Sequence, residues 1–151
     1  MKVDGFMKIA IGSDHRGFRY KKGLITYLSK KYNVKDFGTF SEESCDYPDY
    51  AYKVAKAVAS KKFERGILIC GSGNGICIAA NKVKGIRAAI GYSEKAAEFS
   101  VRHNNANIIC FSEDFPLATV KKAVKKFLSA KFEGGRHLRR IQKIKKIEEE
   151  E

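Results

Sequence analysis

The segment Gly66-Ile-Leu-Ile-Cys70 is an unbroken apolar run. A strand with one face in water alternates apolar and polar residues. A strand that is apolar at every position is covered on both faces, as at the centre of a parallel sheet. Parallel neighbours need crossover connections long enough to hold a helix, and the rest of the chain supplies them. Short β-branched runs over 7–12, 33–37, 87–91 and 107–111 alternate with stretches of helical spacing over 18–31, 48–60, 76–83, 93–103 and 114–130. Pro48 suits a first helical turn, and Ser93 a helix cap. The pattern predicts an α/β fold, a three-layer α/β/α arrangement around a five-stranded parallel sheet. No repeat or linker interrupts it, so residues 1–151 read as one domain. An extra C-terminal helix is expected over 136–150. Its apolar stripe, Leu138, Ile141, Ile144 and Ile147, is narrow, and Glu148 to Glu151 place negative charge at the end where the dipole disfavours it. That helix is therefore expected to pack on a partner subunit rather than on its own core.

The net charge of +13 admits a nucleic-acid reading. The basic residues are spread over helix faces and are dense only in 121–146, and no RNA-binding or zinc-finger pattern accompanies them. A basic surface suited to anionic small molecules explains the charge, and no nucleic-acid partner is expected. No apolar run approaches a membrane span, so no membrane association is expected. Residues 1–6 lack the long apolar core of a secretory signal. They read as an N-terminal extension, or Met7 as the native start. Cys45, Cys70, Cys77 and Cys110 match no zinc or haem spacing, so neither a metal nor a cofactor is expected. Reduced thiols in the cytoplasm are the expected state.

Parallel sheets bind ligands at the carboxyl ends of their strands, which selects the loops after Gly12, Phe37, Cys70, Gly91 and Phe111. The most informative is Cys70-Gly-Ser-Gly-Asn-Gly75. Three glycines between a buried strand and a helix leave backbone N–H groups free to converge on an anion. The loop lacks the Gly-Lys-Ser/Thr ending of a nucleotide phosphate loop and the spacing of a dinucleotide fingerprint. It suits a small oxyanion, or it is a tight structural turn. Cys70 stands where strand meets loop, beside a helix N-terminus that favours a thiolate; the alternative is a buried, inert thiol. Cys45, Cys77 and Cys110 read as structural. Asp14-His15 either shuttles hydroxyl protons or caps a helix. His103-Asn104 presents the same choice. Arg136 and Arg140, four apart on one helical face, suit a phosphate grip or form part of a solvated basic face.

The segments Ile9-Ala-Ile-Gly-Ser-Asp-His15, Asp46-Tyr-Pro-Asp-Tyr-Ala51, Gly66 to Gly75 with Ile78-Ala-Ala-Asn81 and Gly85-Ile-Arg-Ala88, Arg102-His-Asn-Asn-Ala-Asn107, and Glu133-Gly-Gly-Arg-His137 with Arg140 run in one order along the chain. Together they resemble the type B ribose-5-phosphate isomerases and their galactose-6-phosphate and allose-6-phosphate relatives. The resemblance implies a Rossmann-like sheet, a homodimer or dimer of dimers with shared sites, and no metal. It implies an aldose–ketose isomerase acting on a phosphorylated pentose, ribose 5-phosphate and ribulose 5-phosphate, through an enediolate in the non-oxidative pentose phosphate pathway. A hexose phosphate substrate, or a non-catalytic sugar-phosphate-binding role, are the alternatives.

By the same resemblance Cys70 is the base for the C2 proton and Ser72 moves protons between O1 and O2. The amides of Gly71, Ser72, Gly73, Asn74 and Gly75 hold the enediolate oxygen. His103 with Asp14 opens the furanose ring. His15, Tyr47 and Asn104 line the sugar, and Arg136 and Arg140 take the phosphate. Some members place a glutamate just after the last loop glycine; here Ile76 stands there, so the cysteine variant applies. Members commonly carry another phosphate-binding arginine a few residues beyond strand five, where this chain has Ser112-Glu-Asp-Phe-Pro116, with Asp114 near the arginine's place.

Overall fold

The computed structural model describes residues 3–151; Met1, and with it one of the two start sites considered above, lies outside the described residues. The strands are β1 (Lys8–Ser13), β2 (Asn33–Asp36), β3 (Arg65–Cys70), β4 (Ala88–Ile90) and β5 (Ile108–Ser112). The helices are α1 (Phe18–Leu28), α2 (Tyr47–Ala59), α3 (Asn74–Ala80), α4 (Glu94–Arg102), α5 (Leu117–Ser129) and α6 (Arg136–Glu150). The sheet has the order β2-β1-β3-β5-β4, and every pairing is parallel. The apolar run that began the argument is its central strand, β3, flanked by β1 and β5.

Alternation along β3 divides the core. Ile67 and Ile69 face a cluster with Leu24 and Leu28 of α1, Val101 of α4, and Val120, Val124 and Phe127 of α5. Leu68 and Cys70 face the opposite cluster with Val54 and Val58 of α2 and Ile76 and Ala80 of α3. The period of two along one strand thus feeds both helical layers, and the three-layer expectation holds.

The element ends differ from the sequence reading where local chemistry intervenes. Helix α5 starts at Leu117 rather than 114, because Pro116 is extended, with ψ 134°, and biases Phe115 away from helix. Helix α3 starts two residues before the predicted 76, directly after Gly73 in the left-handed region at φ 82°. It ends at Asn81, whose side chain leaves the helix. Asn81 Nδ2 donates to the Ala88 carbonyl at 3.0 Å, and the Ala88 N–H donates to Asn81 Oδ1 at 2.8 Å. Ser93 caps α4 as expected, accepting from the Ala96 N–H at 3.0 Å. Helix α6 matches its predicted span, and His137 is its only buried residue. Leu138, Ile144 and Ile147 of its apolar stripe are exposed. Among the described residues no helix is long and apolar enough to cross a membrane.

Candidate active site

The carboxyl ends of β1, β3 and β5 lie side by side, since Ser13 pairs with Ile69 and Cys70 with Ser112. Cys70 ends β3 and is 4% exposed. The chain then turns through Gly71 to Gly75 so that the Gly73 N–H donates to Cys70 Sγ at 3.1 Å. A Cβ at Gly73 would lie 3.1 Å from the Phe111 backbone carbon, and its positive φ disfavours any side chain. Ser72 is exposed, and its Oγ accepts from the Asn74 N–H at 3.2 Å. Tyr47, at the start of α2, closes the far end of the loop: a methyl group on Gly75 would meet its ring at 2.6 Å.

The Asp14 carboxylate is buried and partly committed. Oδ1 accepts from the N–H groups of Arg16 at 3.0 Å and Gly17 at 3.1 Å, an Asx turn that leads the chain from β1 into α1. Gly17, not Asp14, is the cap residue. His15 accepts at Nδ1 from the Cys45 N–H at 3.2 Å, so the neutral ring carries its proton on Nε2.

Two residues of this edge escaped the sequence reading. Arg16 lies over the loop: a methyl group on Gly71 would sit 3.0 Å from its Nη1. Glu113 binds it, accepting from Arg16 Nε at 2.7 Å and also from Nη2. The Glu113 N–H in turn donates to the Cys70 carbonyl at 3.0 Å. Glu113, next to the Asp114 that stands near the expected arginine's place, thus holds an arginine drawn from the loop after β1. Asp114 itself is exposed.

The other candidates stand elsewhere. His103 and Asn104 follow the C-terminal end of α4 and precede β5, so they lie at the amino edge of the sheet. The His137 ring stacks on His103 with centroids 4.4 Å apart and planes at 14°, and His103 stacks on Phe99 at 4.7 Å. These contacts place the start of α6, with the exposed Arg136 and Arg140, beside His103. From Ile108 to Ser112 is four strand steps, about 13 Å at ~3.3 Å per residue. One chain therefore gathers Cys70, Ser72, Asp14, His15 and Tyr47 at one sheet edge, and His103, Asn104, Arg136 and Arg140 at the other.

The spacing argument against metal ligands overlooked one cluster: His103, Glu133 and His137 bring three donor atoms within 4.8 Å of one another. Its geometry suits a metal poorly. Binding at ~2.0–2.1 Å from both nitrogens requires the imidazoles to leave their near-parallel stack, and Glu133 Oε2 already accepts from Arg102 Nε at 2.6 Å. Burial, His103 and Arg136 hold the His137 imidazole below its ordinary value. Its Nε2 is buried without a hydrogen-bond partner.

A thiol that accepts from a glycine-loop amide, with an Asp-His pair on the same edge, is an arrangement suited to acid–base chemistry on a small anion. The sequence pattern of the Ribose/Galactose Isomerase family matches residues 9–144. The chain belongs to that family of isomerases. It is 47% identical over 146 residues to the probable ribose-5-phosphate isomerase B of Mycoplasma genitalium, covering 94% of this chain and 96% of that one. It is 45% identical over 144 residues to the ribose-5-phosphate isomerase B of Escherichia coli, covering 94% and 97%. Among solved structures, ribose-5-phosphate isomerase B of Clostridium thermocellum superposes with a TM-score of 0.94 at 49% identity, covering 95% of this chain and 99% of that one. The Mycoplasma genitalium enzyme with bound ribulose 5-phosphate does so at 0.91 and 46%, covering 96% and 98%.

Proposed function

We propose that this isomerase interconverts ribose 5-phosphate and ribulose 5-phosphate, with Cys70 as the base. The observation that carries the reading is the Cys70 sulfur at the end of β3, which accepts from the Gly73 N–H of the glycine loop at 3.1 Å. The relative crystallised with ribulose 5-phosphate supports the pentose phosphate. Asp14 and His103 open the furanose: the C1 hydroxyl loses its proton, the bond from C1 to the ring oxygen breaks, and that oxygen gains a proton. Cys70 then takes the C2 proton and the electron pair moves onto the carbonyl oxygen O1. The enediolate rests against the amides of Gly71 to Gly75; one such donor is worth about 3 kcal/mol in a preorganised site. Ser72 passes the O2 proton to O1, and the Cys70 thiol returns its proton to C1, leaving the ketone at C2. Every proton is accounted for, and the step needs no cofactor. Arg136 and Arg140 bind the phosphate, far from the reacting carbons, where binding energy positions the sugar.

The opposite-edge placement of the two residue sets supports a site shared between two copies of the chain, and the exposed stripe of α6 supports that helix as part of the contact. Four free thiols suit a reducing compartment such as the cytoplasm, and the reaction fits the redox-neutral interconversions of the pentose phosphate pathway. The test is turnover of ribose 5-phosphate in metal-free buffer, repeated with allose 6-phosphate and galactose 6-phosphate. Absence of ribose 5-phosphate turnover overturns the pentose assignment, and turnover of a hexose phosphate alone transfers it.

A further inference from the structure

The loop between α5 and α6 carries a carboxylate that the mechanism above leaves unused. Glu133 is clamped to the end of α4 twice. Its N–H donates to the Arg102 carbonyl at 3.0 Å, and its Oε2 accepts from Arg102 Nε at 2.6 Å. Arg102 is itself steadied by Glu98, which accepts from Nη1 at 3.3 Å. So tethered, Glu133 presents its second oxygen to a pair of imidazoles. Oε1 lies 3.9 Å from His103 Nε2 and 3.9 Å from His137 Nε2. The His103 ring is stacked between Phe99 and His137 of the first turn of α6, which fixes its plane.

His137 is the more deeply buried ring. His103 is the more exposed ring, open to a substrate, and Glu133 is the carboxylate that faces its Nε2 edge. A distance of 3.9 Å exceeds a hydrogen bond, but acid–base contacts of this kind are often long before substrate arrives and tighten in the complex.

We propose that Glu133 is a positioning residue for His103, holding the Nε2 edge of the imidazole so that the opposite nitrogen serves the sugar ring oxygen. The inference rests on the reading of His103 as a ring opener. Glu133 touches no substrate in this scheme; it acts only through His103.

That dependence gives the test. In the full-length protein, kcat for ribose 5-phosphate is measured for Glu133→Gln, His103→Ala and the double variant, with melting temperature and oligomeric state checked for each. Gln keeps the shape and an oxygen for Arg102 but removes the charge. Glu133→Gln is expected to lower kcat at least about tenfold, part of the ~10²–10⁴-fold range of acid–base catalysis, with KM little changed. In the His103→Ala background the same change is expected to cost nothing further, the signature of two residues acting as one unit. An equal loss in both backgrounds assigns Glu133 a structural role and overturns the proposal. So does a Glu133→Gln variant with the kcat of the unmodified enzyme. A His103→Ala variant with unimpaired turnover overturns the ring-opening reading itself, and this inference with it. Should Glu133→Gln melt early, Glu133→Asp, which keeps the charge, carries the same cycle: restored kcat supports the proposal, and a loss that persists in the His103→Ala background refutes it.

Discussion

Mixing two impaired variants should restore activity, by an amount fixed by geometry. Cys70 and His103 stand at opposite edges of one sheet, separated along β5 by about 13 Å of strand. Each site of a two-fold dimer would then take Cys70 from one copy and His103 from the other. A Cys70→Ala dimer lacks the base at both sites, and a His103→Ala dimer lacks the ring opener at both. In a hybrid the two defects fall together in one site, which leaves the other site whole. Random reassortment makes about half of all dimers hybrid, each with one of two sites intact, so about a quarter of the unmodified activity should return. The assay is turnover of ribose 5-phosphate after the two variants are mixed, partly unfolded in denaturant and refolded together, with each variant refolded alone as reference. A mixture no more active than the sum of its parts refutes the shared site, because a site built within one chain gains nothing from a partner.

Cys70→Ala alone should fold normally, judged by circular dichroism and melting temperature, and lose ~10²–10⁴-fold in kcat; near-normal turnover removes Cys70 from the mechanism. Gly75→Ala places a methyl group 2.6 Å from the Tyr47 ring, whose exposed side chain must swing off the loop. The expected result is a roughly tenfold rise in KM with little change in melting temperature, because a lost substrate contact acts on binding. For His137, burial lowers the folded value below the ordinary 6.5. The unfolded chain binds this proton more readily, so the contribution of His137 to stability is complete above pH 6.5 and is lost as pH falls through the lower folded value. Between pH 7.5 and 5.5 the melting temperature should fall more in the parent protein than in His137→Gln, and parallel curves would exclude His137 as the source.

The sheet, its five strands and the six helices were legible because burial on both faces leaves β3 apolar throughout and burial of one face gives the helices their period, and local sequence carries both. The residues of the loop after Cys70 were legible for the same reason: glycines between a strand and a helix have a local meaning. What escaped was long-range. Arg16 and Glu113 are 97 positions apart, and neither bears a mark in its own neighbourhood of the contact over Gly71. Glu133 and His103 are likewise joined only when the α5–α6 loop folds back on α4, so a search for ligand spacing passed over the cluster. A helix read from 114 starts three residues early because Pro116, with ψ 134°, dictates an extended backbone just before Leu117.

Asn81 gives the sheet a stopper. β4 is an edge strand, and edge strands offer unpaired backbone groups to any passing chain. The Asn81 amide occupies both the N–H and the carbonyl of Ala88, much as one residue of a further strand would. On the inner side, facing β5, Asn107 holds the chain that leads into β4: its Oδ1 accepts from the Arg87 N–H at 2.8 Å and its Nδ2 donates to the Gly85 carbonyl at 2.8 Å. A sheet closed in this way resists continuation into a second molecule at its Ala88 end. Copies that meet near this edge must do so through side chains, each sheet keeping its own register, so association can be tuned by surface residues without a fibre-like ladder as the competing product.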